Sequence, residues 1–282
     1  MKLGLLDQEK LMDAIVNPPV VQIGRLDWTI TDALDARHEA MPFVFGKLSK
    51  YAEDGRVTVV DEQSRSQINA HAPNLLEASS PFVYLPDYSG LAFLHVWNGI
   101  QDDVFPRRFK KIIESAYENF FVGCEVEPVA DYQAFVSKLS SIKTFKEIGA
   151  KVFPPNPLFG RLWGSLNDYL KKRQASDVTV KEVSVKAGGL RTEVVSLIEH
   201  LLIDPAYQPE TEPDIADAAL LMAADGYGSG RVVGSDGDTD IIVRTADTQK
   251  SFLHDKEADP HRLAMLAAAH FRRVSEERDM DH

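Results

Sequence analysis

Apolar residues recur at three- and four-residue intervals along some stretches of the chain and at every second position along others. Leu11, Met12 and Ile15 share one side of a segment that opens at Asp7, a natural helix cap, and closes before Pro18-Pro19. A short helix is predicted there. The run VVQIGRLDWTIT reads as extended, and ALDARHEAMPFVFGKLSKYAE reads as helical, broken near Pro42. Asp54-Gly55 turns into the β-branched RVTVV, a strand, and the polar DEQSRSQINAHAPN reads as a surface loop or short helix. PFVYL and LAFLHVW are two strands around PDYSG, whose residues all favour a turn.

From there strand and helix patterns trade places. Phe109, Ile112, Ile113, Ala116 and Phe120 mark a helix over 105–120, and VGCEVEPV follows as a strand. YQAFVSKLSSI is helical, FKEIGAKVFPP strand-like, and Leu158 to Lys172 an amphipathic helix. DVTVKEVSV alternates with period two, and LRTEVVSLIEHLL returns to helical spacing. The Pro-rich PAYQPETEPDIAD interrupts both patterns and is the predicted boundary. Beyond it lie a helix over 215–224, a hairpin around GSDGDTD, and a last helix capped by Asp259 with Pro260 in its first turn. The charged tail EERDMDH is expected to fray. The predicted fold class is α+β: a mixed or antiparallel sheet covered by helices, ferredoxin-like β-α alternation in the middle, and a β-hairpin plus long helix at the C-terminus. The predicted domains are 1–204, and an acidic 205–282 that packs on the first or stands apart.

Composition narrows the function classes. With 44% hydrophobic residues the chain has material for a sizeable core, and no window approaches the apolar run that spans a bilayer. The acidic, interrupted N-terminus reads as neither a secretory signal nor a transit peptide. A single cysteine, Cys124, excludes an internal disulfide and reads as a small core residue. The expectation is a cytoplasmic protein without membrane contact. Net charge is −12, yet residues 101–200 carry 15 Lys/Arg against 13 Asp/Glu, whereas the last 82 residues carry 8 against 17. A strongly acidic whole argues against a dedicated non-specific nucleic-acid binder, and the middle third is where a basic face has room to form.

The candidate contacts for nucleic acid or a protein partner are therefore the cations of that third. Lys171, Lys172 and Arg173 close one helix, where the macrodipole welcomes positive charge. Arg107, Arg108, Lys110 and Lys111 open another, where it does not, which leaves room for a phosphate or an acidic partner surface to select them, beside aromatics that at helical spacing are mainly core.

Other constellations fit their chemistry less well. Gly234-Ser235 with Asp238 and Asp240 has the letters of a nucleotidyltransferase, but two intervening residues are too few to place the Gly-Ser turn across from the metal carboxylates. Asp236, Asp238 and Asp240 alternate like calcium ligands, yet the sixth position is Ile241 instead of the turn glycine. A hairpin with Asp236-Gly237 at its turn fits better, and any metal at the three aspartates stays open. HDKEADPH matches no zinc spacing, and its His254, Asp255, Asp259 and His261 read as loop and helix-start residues. Lys186-Ala-Gly-Gly-Leu-Arg191 lacks the GxxxxGK[ST] arrangement of a P-loop and reads as a turn into a helix. Glu182 and Lys186 sit too far apart to share one metal as a nuclease pair does, and Asp61-Glu62 lacks a partner. No cofactor is expected, and no catalytic residue is assigned.

The run EVEPVADYQAFVSKLSSIKTFKEIGAKVFPPNPLFGRLW, with its Pro154–Pro157 turn, resembles uncharacterised bacterial proteins of anti-phage defence neighbourhoods. That resemblance covers about the central third and implies a role in sensing or blocking invading genetic elements. Three expectations follow: a component contacting nucleic acid or a nucleoprotein, a metal-dependent phosphodiester-cleaving enzyme, or a protein-binding adaptor. Whether the chain is an enzyme, and its oligomeric state, are left open.

Overall fold

A computed structural model describes residues 7–118, 123–154, 159–185, 188–254, 259–278 and 280–281. The fold is α+β, with antiparallel sheets, a late hairpin and a long final helix, as the periodicities imply. The chain divides into two compact units, Met1–Val126 with Glu257–Ala268, and Glu127–Lys256 with Ala269–His282. The Pro-rich 205–217 segment lies inside the second unit.

The first unit is a five-stranded antiparallel meander in chain order: β1 (Val21–Ile23), β2 (Leu26–Ala36), β3 (Phe43–Asp61), β4 (Ser66–Leu85) and β5 (Gly90–Phe93). Helices α1 (Gln8–Val16) and α2 (Val104–Ser115) cover one face. Asp7 caps α1 by accepting from the Glu9 amide at 3.0 Å. Met12 and Ile15 from α1 and Phe105, Phe109, Ile112 and Ile113 from α2 bury against Trp28, Ile30, Leu48 and Phe82 of the sheet. Phe82 receives the Phe105 and Phe109 rings edge-on at 5.6 and 5.3 Å. On the opposite face Phe43 is fully buried, and its ring meets His261 edge-on at 5.1 Å.

The second unit is built on a four-stranded antiparallel sheet ordered β10-β9-β6-β8, from β6 (Thr144–Val152), β8 (Val178–Val183), β9 (Gly228–Asp236) and β10 (Thr239–Arg244). Around it lie α3 (Tyr132–Leu139), α4 (Gly164–Arg173), α5 (Val194–Ile203) and α6 (Ile215–Met222). Every residue of α6 from Ala216 to Met222 is buried, and the helix lies on the face formed by Ile148, Ala150 and Val152. Asp217 of α6 is buried too; it accepts from the Thr192 hydroxyl at 2.6 Å and the Glu193 amide at 2.9 Å, which fixes the start of α5. The last helix, α7 (Pro260–Glu277), starts at Asp259 as expected, with the Asp259 carboxylate accepting from the Arg262 amide at 3.0 Å. Among the described residues no helix is long and apolar enough to cross a membrane.

Several expectations change. The predicted helix over 33–53 is strand: β2 runs to Ala36 and β3 starts at Phe43. The Ala, Leu and Glu of that stretch favour helix locally, but Phe43 is buried beside β2, and Phe45 and Leu48 between β2 and β4, and burial outweighs propensity. The polar 61–74 stretch is the tip of the β3–β4 hairpin and the first nine residues of its second strand. Residues 123–129 carry the chain from one unit towards the other without strand pairing, although Cys124 is buried as predicted. The helix over 158–172 begins only at Gly164, after the short β7 (Phe159–Gly160). Of the tail expected to fray, the described residues are held in place: Met280 pairs with Gly160 through β11 (Met280–Asp281), and Arg278 is buried.

Candidate functional site

The cations singled out at the start of α2 are largely engaged by their own neighbourhood. Arg107 reaches back one turn to the Asp103 carboxylate at 2.6 Å. The Arg108 guanidinium lies over the Trp28 ring at 5.2 Å. Lys110 binds Glu125 at 2.6 Å and approaches Glu114 at 3.8 Å, and Lys111 is exposed. A helix start that the macrodipole makes unfavourable for cations is offset here by three carboxylates and an aromatic face. Lys171, Lys172 and Arg173 close α4 as expected, all exposed. The two groups belong to different units, α2 to the first and α4 to the second.

GSDGDTDIIV folds as the hairpin that its sequence suggests. Thr239 pairs with Asp236, so the two-residue turn is Gly237-Asp238, with Gly237 at φ +59°. A positive φ at the first central position is what a type II′ turn requires. Asp236 and Asp240 each bind a lysine, Lys143 and Lys146, at 2.7 Å, so these carboxylates are held by cations of β6 and the turn before it. Among the described residues no group of three His, Cys, Asp or Glu converges as a metal site. Asp255 of the histidine segment, Lys186 of the double-glycine turn, and Pro155 to Pro157 lie outside the described residues.

The second unit gathers cations that the sequence reading did not single out. With α6 on one face of the sheet, the alternate residues of all four strands face away from it. The register sets Lys181 of β8, Gly149 of β6, Arg231 of β9 and Arg244 of β10 in one cross-strand row. At about 4.8 Å between strands, that row spans roughly 14 Å. Thr179, Lys151 and Ser229 form the row on one side, and Val183, Glu147 and Val233 the row on the other. Apart from Val183 and Val233, these residues border a shallow depression of about 350 Å³. Its floor is Gly149, where an added Cβ would meet only the Val180 carbonyl oxygen, at 3.6 Å. Packing does not demand glycine there, and its absent side chain leaves the floor open.

Electrostatically the face is loosely balanced. Glu147 alone serves two cations, Lys181 at 3.1 Å and Arg231 at 3.5 Å. Lys151 stands 3.8 Å from Asp177 and 5.1 Å from the Phe153 ring centre, and Arg244 is 4.0 Å from Asp247. The four cationic side chains stay about half exposed, at 47–58%. Exposed pairs at these separations contribute little and exchange readily with solvent or ligand. The only sequence signal was a Lys or Arg at an outward alternate position in each of four strands, which becomes a row only once register and strand order are known.

The most polar buried group of the second unit is structural in character. Asp225 accepts from Tyr132 at 2.6 Å, Trp163 Nε1 at 2.7 Å and Arg278 at 2.8 Å. Arg278 also donates to the carbonyls of Ala224 and Ala130, and its guanidinium lies 4.0 Å from the Tyr132 ring centre. Burial, then the Asp225 carboxylate, hold the Tyr132 phenol well above its usual value, so it stays a donor. In the first unit, burial pushes the Cys124 thiol up to about 12, which keeps it protonated and unreactive.

Comparison with protein-family models, with curated proteins and with solved structures finds no match for this chain. Fold and site together define an α+β chain whose second unit presents an open, cation-lined sheet face.

Proposed function

We propose that the protein binds nucleic acid through its phosphate backbone, along the open face of the β10-β9-β6-β8 sheet. The supporting observation is the row Lys181–Gly149–Arg231–Arg244, in which three cations flank a glycine floor, with Lys151 in the adjoining row. Guanidinium forks and ammonium groups suit phosphate oxygens, and the glycine lets a backbone approach the sheet. No aromatic ring sits in the three central rows to stack a base, so the contact is one of charge and carries little sequence preference. The cations of α2 and α4 are secondary positions in the same reading. An anti-phage setting has only the resemblance of the central third in its favour. Phosphodiester cleavage has no assignable metal centre among the described residues.

The test is fluorescence anisotropy with labelled single-stranded and duplex DNA and RNA, with Mg²⁺ present and product length checked afterwards. Four neutralised phosphates give a slope of about −3 for single strands in log K against log salt, roughly a 50-fold loss between about 50 and 200 mM. K181Q/R231Q/R244Q should abolish the binding, while R107Q/K111Q and K172Q/R173Q change it by less. Undiminished binding by the triple variant moves the site to the helices, absence of binding by the wild type sinks the reading, and shortened product points to the nuclease.

A further inference from the structure

The β3–β4 hairpin runs far beyond the sheet that roots it. Strand β2 accompanies β3 only as far as Tyr51, and β5 accompanies β4 only over Phe82–Leu85. Ala52–Asp61 and Ser66–Leu75 therefore continue as a ribbon of two strands, on the order of 30 Å long. Such a ribbon is marginal in water unless something covers it. Its two faces differ. Cross-strand partners share a face, so Val57/Ala70 and Val59/Ile68 make one apolar side, with Ala72 beside them and Leu75 folded over Gly55. Val59 and Ile68 are 40% and 47% exposed. The other side is mostly polar: it carries Arg56/His71 and Thr58/Asn69, with His71 bound to Asp54 and a single exposed Val60 beside Gln67 near the tip.

Charge indicates what covers the apolar side. Strand alternation puts Glu53 and Asp61 on the same side as Val57 and Val59, so the stripe has a carboxylate at its root and another at its tip. The segment 53–77 holds five carboxylates against two arginines, which disfavours a phosphate backbone. A second copy fares no better. Paired along β3 in either direction, two arms would set carboxylate against carboxylate at both ends. A ribbon face about 30 Å long and roughly 10 Å wide offers about 300 Å², so two stacked faces bury about 600 Å², short of the roughly 1,200 Å² of a stable interface. Among the described residues no strand pairs with the outer edge of β3 from Ala52 to Asp61, and that edge has no proline, whereas β4 carries Pro73.

We propose that this edge takes up an extended segment of a protein partner as an added strand, with alternate apolar residues beside Val57 and Val59 and a Lys or Arg opposite each of Glu53 and Asp61. The two carboxylates are eight residues apart in β3, so the complementary strand has cations at its first and ninth positions and apolar residues at the third, fifth and seventh. Main-chain hydrogen bonds hold the strand, and the terminal pairs set its register.

The probe is a labelled nine-residue peptide, Lys-Thr-Val-Thr-Val-Thr-Val-Thr-Lys, compared by anisotropy on the full chain with the same peptide ending in Glu at both ends. The Lys-ended peptide should bind at least tenfold more tightly. V59T/I68T, exposed changes that keep β-branching, should weaken it at least fivefold, and E53Q/D61N should bring the two peptides within twofold of each other. Equal affinity for both peptides, or no binding of the Lys-ended one, overturns the proposal. So does a concentration-dependent dimer, or nucleic-acid binding, that V59T/I68T abolishes.

Discussion

Replacing Arg278 by methionine removes the guanidinium from a site where both members of the ion pair are almost fully enclosed, at 2% and 4% side-chain exposure. Asp225 then keeps two neutral donors, Tyr132 and Trp163, for a charge that had three partners. The Ala130 carbonyl loses its contact with Arg278, while Ala224 keeps the bond from the Ala130 amide at 2.8 Å. Breaking one side of a buried pair costs about 3–5 kcal/mol, because the remaining charge is stranded. At roughly 2–4 °C per kcal/mol for a chain of this size, melting should fall by about 6–20 °C. Lysine is a poor substitute, since one ammonium cannot serve the carboxylate and two carbonyls in the planar geometry of the guanidinium. The assay is urea unfolding of R278M, D225N and the double variant in a W28F/W97F background, where Trp163 fluorescence is a local readout. Each single change should cost about as much as the pair together, the signature of a coupled unit. A loss below about 1 kcal/mol in R278M, or strictly additive effects, would refute the reasoning.

Four other outcomes are expected. Glu147→Gln frees Lys181 and Arg231 from their shared carboxylate and should strengthen nucleic-acid binding several-fold in the anisotropy assay, whereas a purely structural Glu147 would leave it unchanged. Gly149→Leu fills the floor of the depression and should weaken the same binding severalfold, with a urea midpoint close to wild type because a Cβ there meets only the Val180 carbonyl oxygen. Burial raises the Asp217 carboxyl above its usual value against the opposing bonds from Thr192 and Glu193. The folded state thus holds that proton to higher pH than the unfolded chain does, so Asp217 contributes stability that is lost as pH rises from about 4 through the raised value; D217N should flatten that part of the urea profile. The Arg37 guanidinium, bonded to Asp35 at 3.0 Å, lowers the Asp35 carboxyl, so its contribution is present above about pH 4 and lost as pH falls through the lowered value; Arg37→Gln should shrink that acid limb, leaving the part due to the residue-37 amide.

Much of the secondary structure was legible because the cause was local. Asp7 and Asp259 announce helix starts through their own carboxylates, Gly237 supplies the turn its hairpin needs, and the alternation of FKEIGAKV and DVTVKEV marks strands with one open face. Where the cause was distant, the sequence misled. ALDARHEAM has helix-forming residues, yet its first four close β2 because Leu34, Asp35 and Ala36 have β3 to pair with, and the rest form the turn into β3. EERDMDH looks like a solvated tail, yet Arg278 finds Asp225, 53 residues earlier in the chain.

The same division governs the functional surfaces. Composition alone established an acidic chain with cations concentrated in its middle third, and helical spacing pointed to α2 and α4 because neighbours on a helix are close in sequence. Lys151, Lys181, Arg231 and Arg244 lie up to 93 positions apart, and only the strand order β10-β9-β6-β8 and its register bring them onto one face. The bare length of the β3–β4 ribbon likewise depends on where β2 and β5 stop. Sequence by itself determined the caps, the turns and the alternation, which are properties of adjacent residues. Pairing partners, strand order and the satisfaction of buried charge were decided by tertiary structure, because each depends on what a distant segment brings within hydrogen-bonding reach.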